Sequence, residues 1–306
     1  MSTISPIALT FGRLLVRIEP TSRDREIYLS HEKTVRRRLE TVFKANRVDR
    51  IGSYSRSSSI RYTSDVDLML ILARDQVRWG GNLMSSTTVL GHVRDQLSQR
   101  YWQTDVGRDG QAVVVRFRGN QYPVDVVPAV YSHHETINDF DGTGKKYPIF
   151  LIPDGAGWWI ETSPMAHNKY IRDADGVSRG KLKQTAKLIK YWRRCRQPHI
   201  PLNSFHLELL LAKEGICAGP KSYAVCLNNA LVELANRKCR QLQDPLGLSG
   251  LIKAAYTEHM REQATAAAIY SAERSYNAVI AEQNGNVKEA LRLWEIVFHH
   301  KFLREA

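Results

Sequence analysis

Two aspartates one residue apart, Asp65 and Asp67, interrupt an otherwise apolar run, "DVDLMLIL". Side chains at i and i+2 of a strand share a face, so these carboxylates project together from Cα atoms roughly 6.5–7 Å apart. Val66, Leu68, Leu70 and Leu72 then take the opposite, core face. Ionised carboxylates that close repel, and a divalent cation between them relieves the repulsion. Asp125 in "YPVDVVPAV" is a third acid alone in an apolar strand. Three such carboxylates facing one point can hold two Mg²⁺ ions, one activating an attacking hydroxyl and one stabilising a leaving phosphate oxygen. Pairing with the nearby Arg56 and Arg61 is the plain structural alternative. Gly52-Ser53 stands about a dozen residues upstream of the acids. Glycine allows a phosphate to approach the backbone closely, and a serine hydroxyl with adjacent N–H groups can bind its oxygens. No G-K-[ST] follows, so this is not a Walker A loop.

Positioning these groups requires a sheet backed by helices. Residues 48 to 54 read as a short extended segment, and "DVDLMLIL" as the strongest strand in the chain. "AVVVRFR" and "YPVDVVPAV" flank Gly119-Asn120, a two-residue hairpin signal. Residues 24 to 45 carry Ile27, His31, Val35, Leu39, Val42 and Phe43 at helical spacing, with a basic stripe at Arg36 to Arg38 on the polar side. "STTVLGHVRDQLSQRYW" gives another helix through Val89, Leu90, Val93 and Leu97. Trp158-Trp159 reads as core and His133-His134 as a loop feature. Beyond about residue 160 the character turns helical. The helices expected there are "SRGKLKQTAKLIKYWRRCR", "NSFHLELLLAKEG" ending at Gly215, residues 222 to 240, residues 249 to 283, and "NVKEALRLWEIVFHH". The last opens with Asn286 and Glu289 at capping-box spacing.

The 306 residues suffice for a large core divided into two lobes. Lys and Arg outnumber Asp and Glu by 44 to 31, a net charge of +13, which favours polyanionic partners such as nucleotides or RNA. No stretch approaches the roughly 18 apolar residues of a membrane span, and the N-terminus lacks a signal-peptide pattern. Cys195, Cys217, Cys226 and Cys239 form no C-x-x-C pair, which predicts reduced thiols in a cytoplasm rather than a zinc or redox motif.

Gly-Ser, a dozen residues, D-x-D on a strand and a third Asp on a later strand resemble the polymerase-β-like nucleotidyltransferase superfamily. "LIKYW", "NSFH" and the final Trp-Phe helix narrow the resemblance to the bacterial cGAS/DncV-like nucleotidyltransferases (CD-NTases), relatives of cyclic GMP–AMP synthase and oligoadenylate synthetase. The resemblance covers nearly the whole chain and implies an α/β (α+β) fold. A nucleotidyltransferase lobe with a mixed sheet would span 1–160, its N-terminal helix also free to pack on the second lobe. A helical nucleotide-binding lobe would span 161–306, with the active site in the cleft between them. Asp65, Asp67 and Asp125 would be the catalytic metal ligands, for two Mg²⁺ ions with Mn²⁺ as an alternative. Ser53, beside Gly52, would touch the triphosphate, as would Lys190 and Ser204, and Phe205 would stack on a base. The animal enzymes' His/Cys zinc insertion is lacking. The implied activity is synthesis of a cyclic di- or trinucleotide from NTPs, ATP among them, in bacterial antiphage (CBASS) signalling. The implied protein is a cytoplasmic monomer without a membrane partner. The basic surface leaves an activating RNA open as a partner, and the resemblance adds a regulatory protein conjugated at the C-terminal residue, Ala306. Two alternatives stand beside this reading. One is a linear nucleotidyltransferase acting on RNA, tRNA or a small-molecule hydroxyl. The other is a non-catalytic nucleic-acid-binding protein.

Overall fold

The structure, a computed structural model, describes residues 5–45, 47–61, 65–101, 104–119 and 122–303. Asn120 of the expected hairpin turn and Ala306 lie outside the described residues. The chain divides into two compact units. One is Pro20–Lys169; the other joins the described residues up to Glu19 with those from Tyr170 onward.

Helix α1 (Pro6–Ile18) opens the described chain, with Pro6 in its first turn and the Ser5 hydroxyl accepting from the Ile7 N–H at 3.2 Å. The sheet-bearing unit starts with α2 (Ser22–Phe43), closed at its N-terminus by a Thr21/Asp24 capping box. There follow β1 (Arg47–Arg50), the short turn of helix α3 (Gly52–Ser55), β2 (Val66–Leu72) and the hairpin β3 (Arg78–Trp79)–β4 (Asn82–Leu83). Then come α4 (Ser86–Arg100), β5 (Asp105–Asp109), β6 (Ala112–Arg116), β7 (Val124–Asn138), β8 (Gly144–Pro153) and β9 (Trp159–Thr162). Helix α5 (Pro164–Val177) carries the chain across the boundary between the units.

Seven of these strands form one mixed sheet, in the order β1-β2-β7-β6-β5, with β8 on β7 and β9 on β8. Among the described residues of this sheet, only the β2–β7 pairing is parallel. The alternation of β2 decides its faces. Val66, Leu68, Leu70 and Leu72 bury into a cluster with Val113, Val115, Val124 and Val126, covered by Val35 and Leu39 of α2 and by Val89, Val93 and Leu97 of α4. Full burial of each such side chain is worth about 1.5–3 kcal/mol. On the other face Met69, Ala129 and Phe150 form a smaller cluster.

Three local expectations change. The segment 48–54 is extended only to Arg50; Gly52–Ser55 turns helically, because Gly52 takes φ +67° and leads the chain out of the sheet. His133 and His134 sit in β7, not in a loop, where a register shift between Tyr131 and His133 lets the strand continue along β8. Trp159 packs on the core with its indole N–H donating to Met84 O at 2.8 Å, whereas Trp158 is exposed.

The second unit contains α6 (Lys181–Arg194), α7 (Ser204–Lys213), α8 (Tyr223–Asn236), the hairpin β10 (Leu242–Gln243)–β11 (Leu251–Ile252), α9 (Glu258–Gln283) and α10 (Val287–Val297). The helix expected from 249 begins at 258, since Leu251 and Ile252 pair with Gln243 and Leu242 and Thr257 then caps α9. Asn286 caps α10 as expected, accepting from the Glu289 N–H at 3.1 Å. The fully buried Phe11 of α1 meets Trp294 and Phe302 edge-on, at 5.0 and 4.9 Å between ring centroids. These contacts place residues up to Glu19 with the helical unit, and the boundary expected at 160 falls within α5. The four cysteines are free and buried. Among the described residues, no helix is long and apolar enough to cross a membrane.

Candidate active site

Asp67 of β2 and Asp125 of β7 are partners in the parallel ladder, so they stand side by side on one face of adjacent strands. Asp65, immediately before β2, shares that face by alternation. Asp125 is half-buried, and its Oδ1 is shut away from water with no hydrogen-bond partner. Burial, followed by the charges of Asp65, Asp67 and Asp109, pushes the Asp125 carboxyl up to about 8, with Arg116 opposing the rise. Asp109 and Arg116 were not expected here. The ladder explains them: Val114 pairs with Asp125, and Ala112 and Arg116, two residues to either side, face the same way, Ala112 opposite Asp109. Arg116 donates to Asp105 at 3.2 Å.

The Gly-Ser turn meets the acids at Asp67. The Ile51 N–H donates to Asp67 O at 2.9 Å, seating Gly52 directly against the Asp67 side chain. A Cβ on Gly52 would lie 2.8 Å from Asp67 Cβ and closer still to the carboxylate, so only glycine permits this approach. The turn is braced from behind. Ser55 Oγ donates to Gly52 O at 2.8 Å, Asn168 Nδ2 donates to Ser55 Oγ at 3.2 Å, and Arg56 donates to Asn168 Oδ1 at 3.2 Å. Ser53 O accepts from the Ser58 N–H at 3.0 Å, holding the half-buried Ser53 in place. Arg61, the other arginine near the acids in sequence, pairs with Asp24 at 3.1 Å.

This donor set fits hard divalent cations: three carboxylates on one face, one with an orphaned oxygen, and a main-chain turn pressed against a second. Among the described residues, no three His, Cys, Asp or Glu side chains are drawn into a closed metal cage.

Within the helical unit, Lys190 of α6 is buried and ion-paired with the fully buried Glu208 of α7. Ser204 and Phe205 begin α7, where Asn203 accepts from the Phe205 N–H at 2.8 Å. Ser204 Oγ accepts from Arg193 at 2.7 Å. Sequence reasoning passed over Glu208 and Arg193. The signal for Glu208 was available: one acid inside "HLELLLA" must find a cation if the helix is buried.

Residues 6–175 match the family model of the Second Messenger Oligonucleotide or Dinucleotide Synthetase domain. A cyclic AMP-AMP-AMP synthase of Escherichia coli (strain MS 115-1) is 26% identical over 177 residues, 56% of this chain and 50% of that enzyme. A probable cyclic nucleotide synthase of Bacillus cereus (strain VD146) is 24% identical over 282 residues, 82% of this chain and 80% of that protein. In fold, the chain resembles E. coli MS115-1 CdnC, solved with HORMA-deltaN, at a TM-score of 0.71 and 19% identity over 99% of both chains. CdnC solved with ATP gives 0.70 and 20% identity over 97% of this chain and 99% of that one. The Vibrio cholerae cyclic AMP-GMP synthase DncV gives 0.61 and 11% identity over 84% of this chain and 70% of that one. With more than half its length matched, and an α/β fold of mixed sheet and helices shared with these proteins, the chain belongs to the second messenger oligonucleotide or dinucleotide synthetase family, the CD-NTases.

Proposed function

We propose that the protein is a metal-dependent, template-independent nucleotidyltransferase that joins NTPs into a cyclic di- or trinucleotide. The observation that carries this reading is the pairing of Asp67 with Asp125, Asp65 beside them and Gly52 against Asp67. Asp65, Asp67 and Asp125 would hold divalent cations, Mg²⁺ or Mn²⁺, which when bound supply charge stabilisation for attack of a ribose hydroxyl on an α-phosphate and departure of pyrophosphate. The chain's own contribution is placement. Gly52 lets the phosphate chain reach the backbone, and the Ser53 hydroxyl and neighbouring N–H groups bind its oxygens. The bonds from Ser55 and Asn168 hold that turn rigid, which matters because positioning and electrostatics supply most of the rate in phosphoryl transfer. Ser204 and Phe205 serve a nucleotide's phosphate and base. Lys190 belongs to the same set by resemblance, acting beside its pair with Glu208.

ATP is the first substrate to test, because one relative is named a cyclic AMP-AMP-AMP synthase and CdnC was solved with ATP. A cytoplasmic role in antiphage signalling, an activating RNA and a regulatory protein partner belong to the same reading. The last is supported by the CdnC complex with HORMA-deltaN.

The test incubates the protein with labelled NTPs and Mg²⁺ or Mn²⁺ and analyses products by mass spectrometry after phosphatase treatment. A phosphatase-resistant cyclic species is expected, and it should fall about 10³-fold or more in Asp65→Asn and Asp67→Asn. A labelled RNA or small molecule as sole product would move the reading to a linear transferase. RNA binding unaffected by both substitutions, with no product at all, would move it to a nucleic-acid-binding protein.

A further inference from the structure

Helix α6 carries three cations on successive turns, and they are treated differently. Lys187 is paired with Glu19, its Nζ 2.9 and 3.0 Å from the two carboxylate oxygens. Lys190 is paired with Glu208. Arg193, half-buried in the last turn, has no carboxylate partner among the described residues. Its guanidinium donates to two neutral oxygens, Ile200 O at 3.3 Å and Ser204 Oγ at 2.7 Å. Burial, followed by the charge of the adjacent Arg194, pushes the Arg193 guanidinium down to about 10. Partial burial of a cation without an anion is unfavourable, and two neutral acceptors leave part of the five-donor guanidinium open to a further acceptor.

The direction of the bond to Ser204 matters as well. Because Ser204 Oγ accepts from Arg193, its own O–H is left to donate, which suits an anion and not a cation. Tyr256, exposed and close enough to act on the charge of Arg193, stands at the rim of a cavity of about 380 Å³. Arg240, Lys253 and Arg261 also line this cavity, against a single acid, Glu258, which is held by Arg261. The cavity wall is tied to the start of α7: Asn203 N–H donates to Ala254 O at 2.7 Å, and His206 Nε2 lies 3.1 Å from Arg240 O. Arg193, Ser204 and the basic cavity are therefore one neighbourhood with a surplus of positive charge.

We propose that Arg193 is a further phosphate-binding cation of the helical unit, taking the polyphosphate of a nucleoside triphosphate together with the Ser204 hydroxyl and the basic wall formed by Arg240 and Lys253. This deepens the nucleotidyltransferase reading and rests on it for the identity of the ligand. A planar guanidinium binds two phosphate oxygens in fixed geometry, which a lysine cannot do.

The test is calorimetric binding of α,β-methylene ATP, with adenosine as the phosphate-free control, to the full-length protein in Mg²⁺. Arg193→Gln should weaken the analogue at least about tenfold and leave adenosine within about twofold. Its melting temperature should hold or rise, since an uncompensated charge has been removed. Arg193→Lys should fall between wild type and Gln, and it serves alone if the Gln variant does not fold. Unchanged analogue binding in Arg193→Gln overturns the inference. So does equal weakening of analogue and adenosine with a melting point several degrees lower, which marks a structural arginine. Loss of binding to a short RNA without loss of the analogue also overturns it. None of these readouts needs turnover, so a wild-type protein that binds the analogue but yields no cyclic product refutes the nucleotidyltransferase reading and leaves this one standing.

Discussion

Replacing Gly52 with alanine separates backbone strain from displacement of the Asp67 carboxylate, a metal ligand in the function proposed above. Gly52 sits at φ +67°, where an L-residue costs about 1–2 kcal/mol. The new Cβ would also stand 2.8 Å from Asp67 Cβ, against an ordinary carbon–carbon contact of about 3.5–4.0 Å, and nearer still to the carboxylate. The Asp67 side chain must therefore retreat by about 1 Å or swing off the face it shares with Asp125. A misplacement of about 1 Å at a reacting centre costs on the order of 10²-fold in rate. Gly80 supplies the control: it lies at φ +57° in the β3–β4 hairpin with nothing within 4 Å of an added Cβ. Gly80→Ala carries the same backbone cost without the displacement. In parallel turnover assays with labelled ATP, Gly52→Ala should lose about 10²-fold and Gly80→Ala less than about threefold, while thermal melts fall by similar small amounts. Gly52→Ala turning over within threefold of wild type, or Gly80→Ala losing as much, would refute the placement of Asp67 as the critical variable.

The remaining predictions concern charge. The Asp125 carboxyl is raised in the fold from an ordinary value of 3.8 to about 8, so its contribution to stability is full below about pH 4 and lost as pH rises through about 8. In EDTA, Asp125→Asn should be more stable than wild type at pH 8–9, by on the order of a few kcal/mol, and the gap should close toward pH 4. A pH-independent gap in thermal melts counts against the burial and crowding described. Glu208→Gln removes the carboxylate paired with the buried Lys190 and should cost about 3–5 kcal/mol in urea unfolding, with Lys190→Met/Glu208→Leu recovering most of it. A loss below about 1 kcal/mol would mean that Lys190 finds water or another partner.

The acid face was legible because its signal is short-range: strand alternation alone separates Asp65 and Asp67 from Val66 and Leu68. The seating of Gly52 on Asp67 was legible only as a spacing; the 2.9 Å bond from Ile51 that enforces it joins residues 16 apart. Arg116 and Asp109 could not be found without the β5–β6–β7 register, which no local pattern specifies. The β8 strand and the second half of β7 were missed because "YSHHETIN" carries polar residues on both faces, which leaves little apolar period to read. Lys190 was expected only as a triphosphate contact, and nothing local in the sequence signals its pairing inside the helical unit. Its burial depends on Glu208, 18 residues away on another helix.

The aromatic contact of Phe11 with Trp294 and Phe302 also imposes an order on synthesis. Phe11 leaves the ribosome roughly 15–60 s before Phe302 at translation rates of about 5–20 residues per second. Residues 20–169 can fold during that interval, with the aspartates already on their strands, while α1 waits exposed for its partners. A nascent or prematurely ended chain thus carries the acid face without a closed helical unit. The acid face can form early in translation, whereas the helical unit closes only with the last aromatic residue.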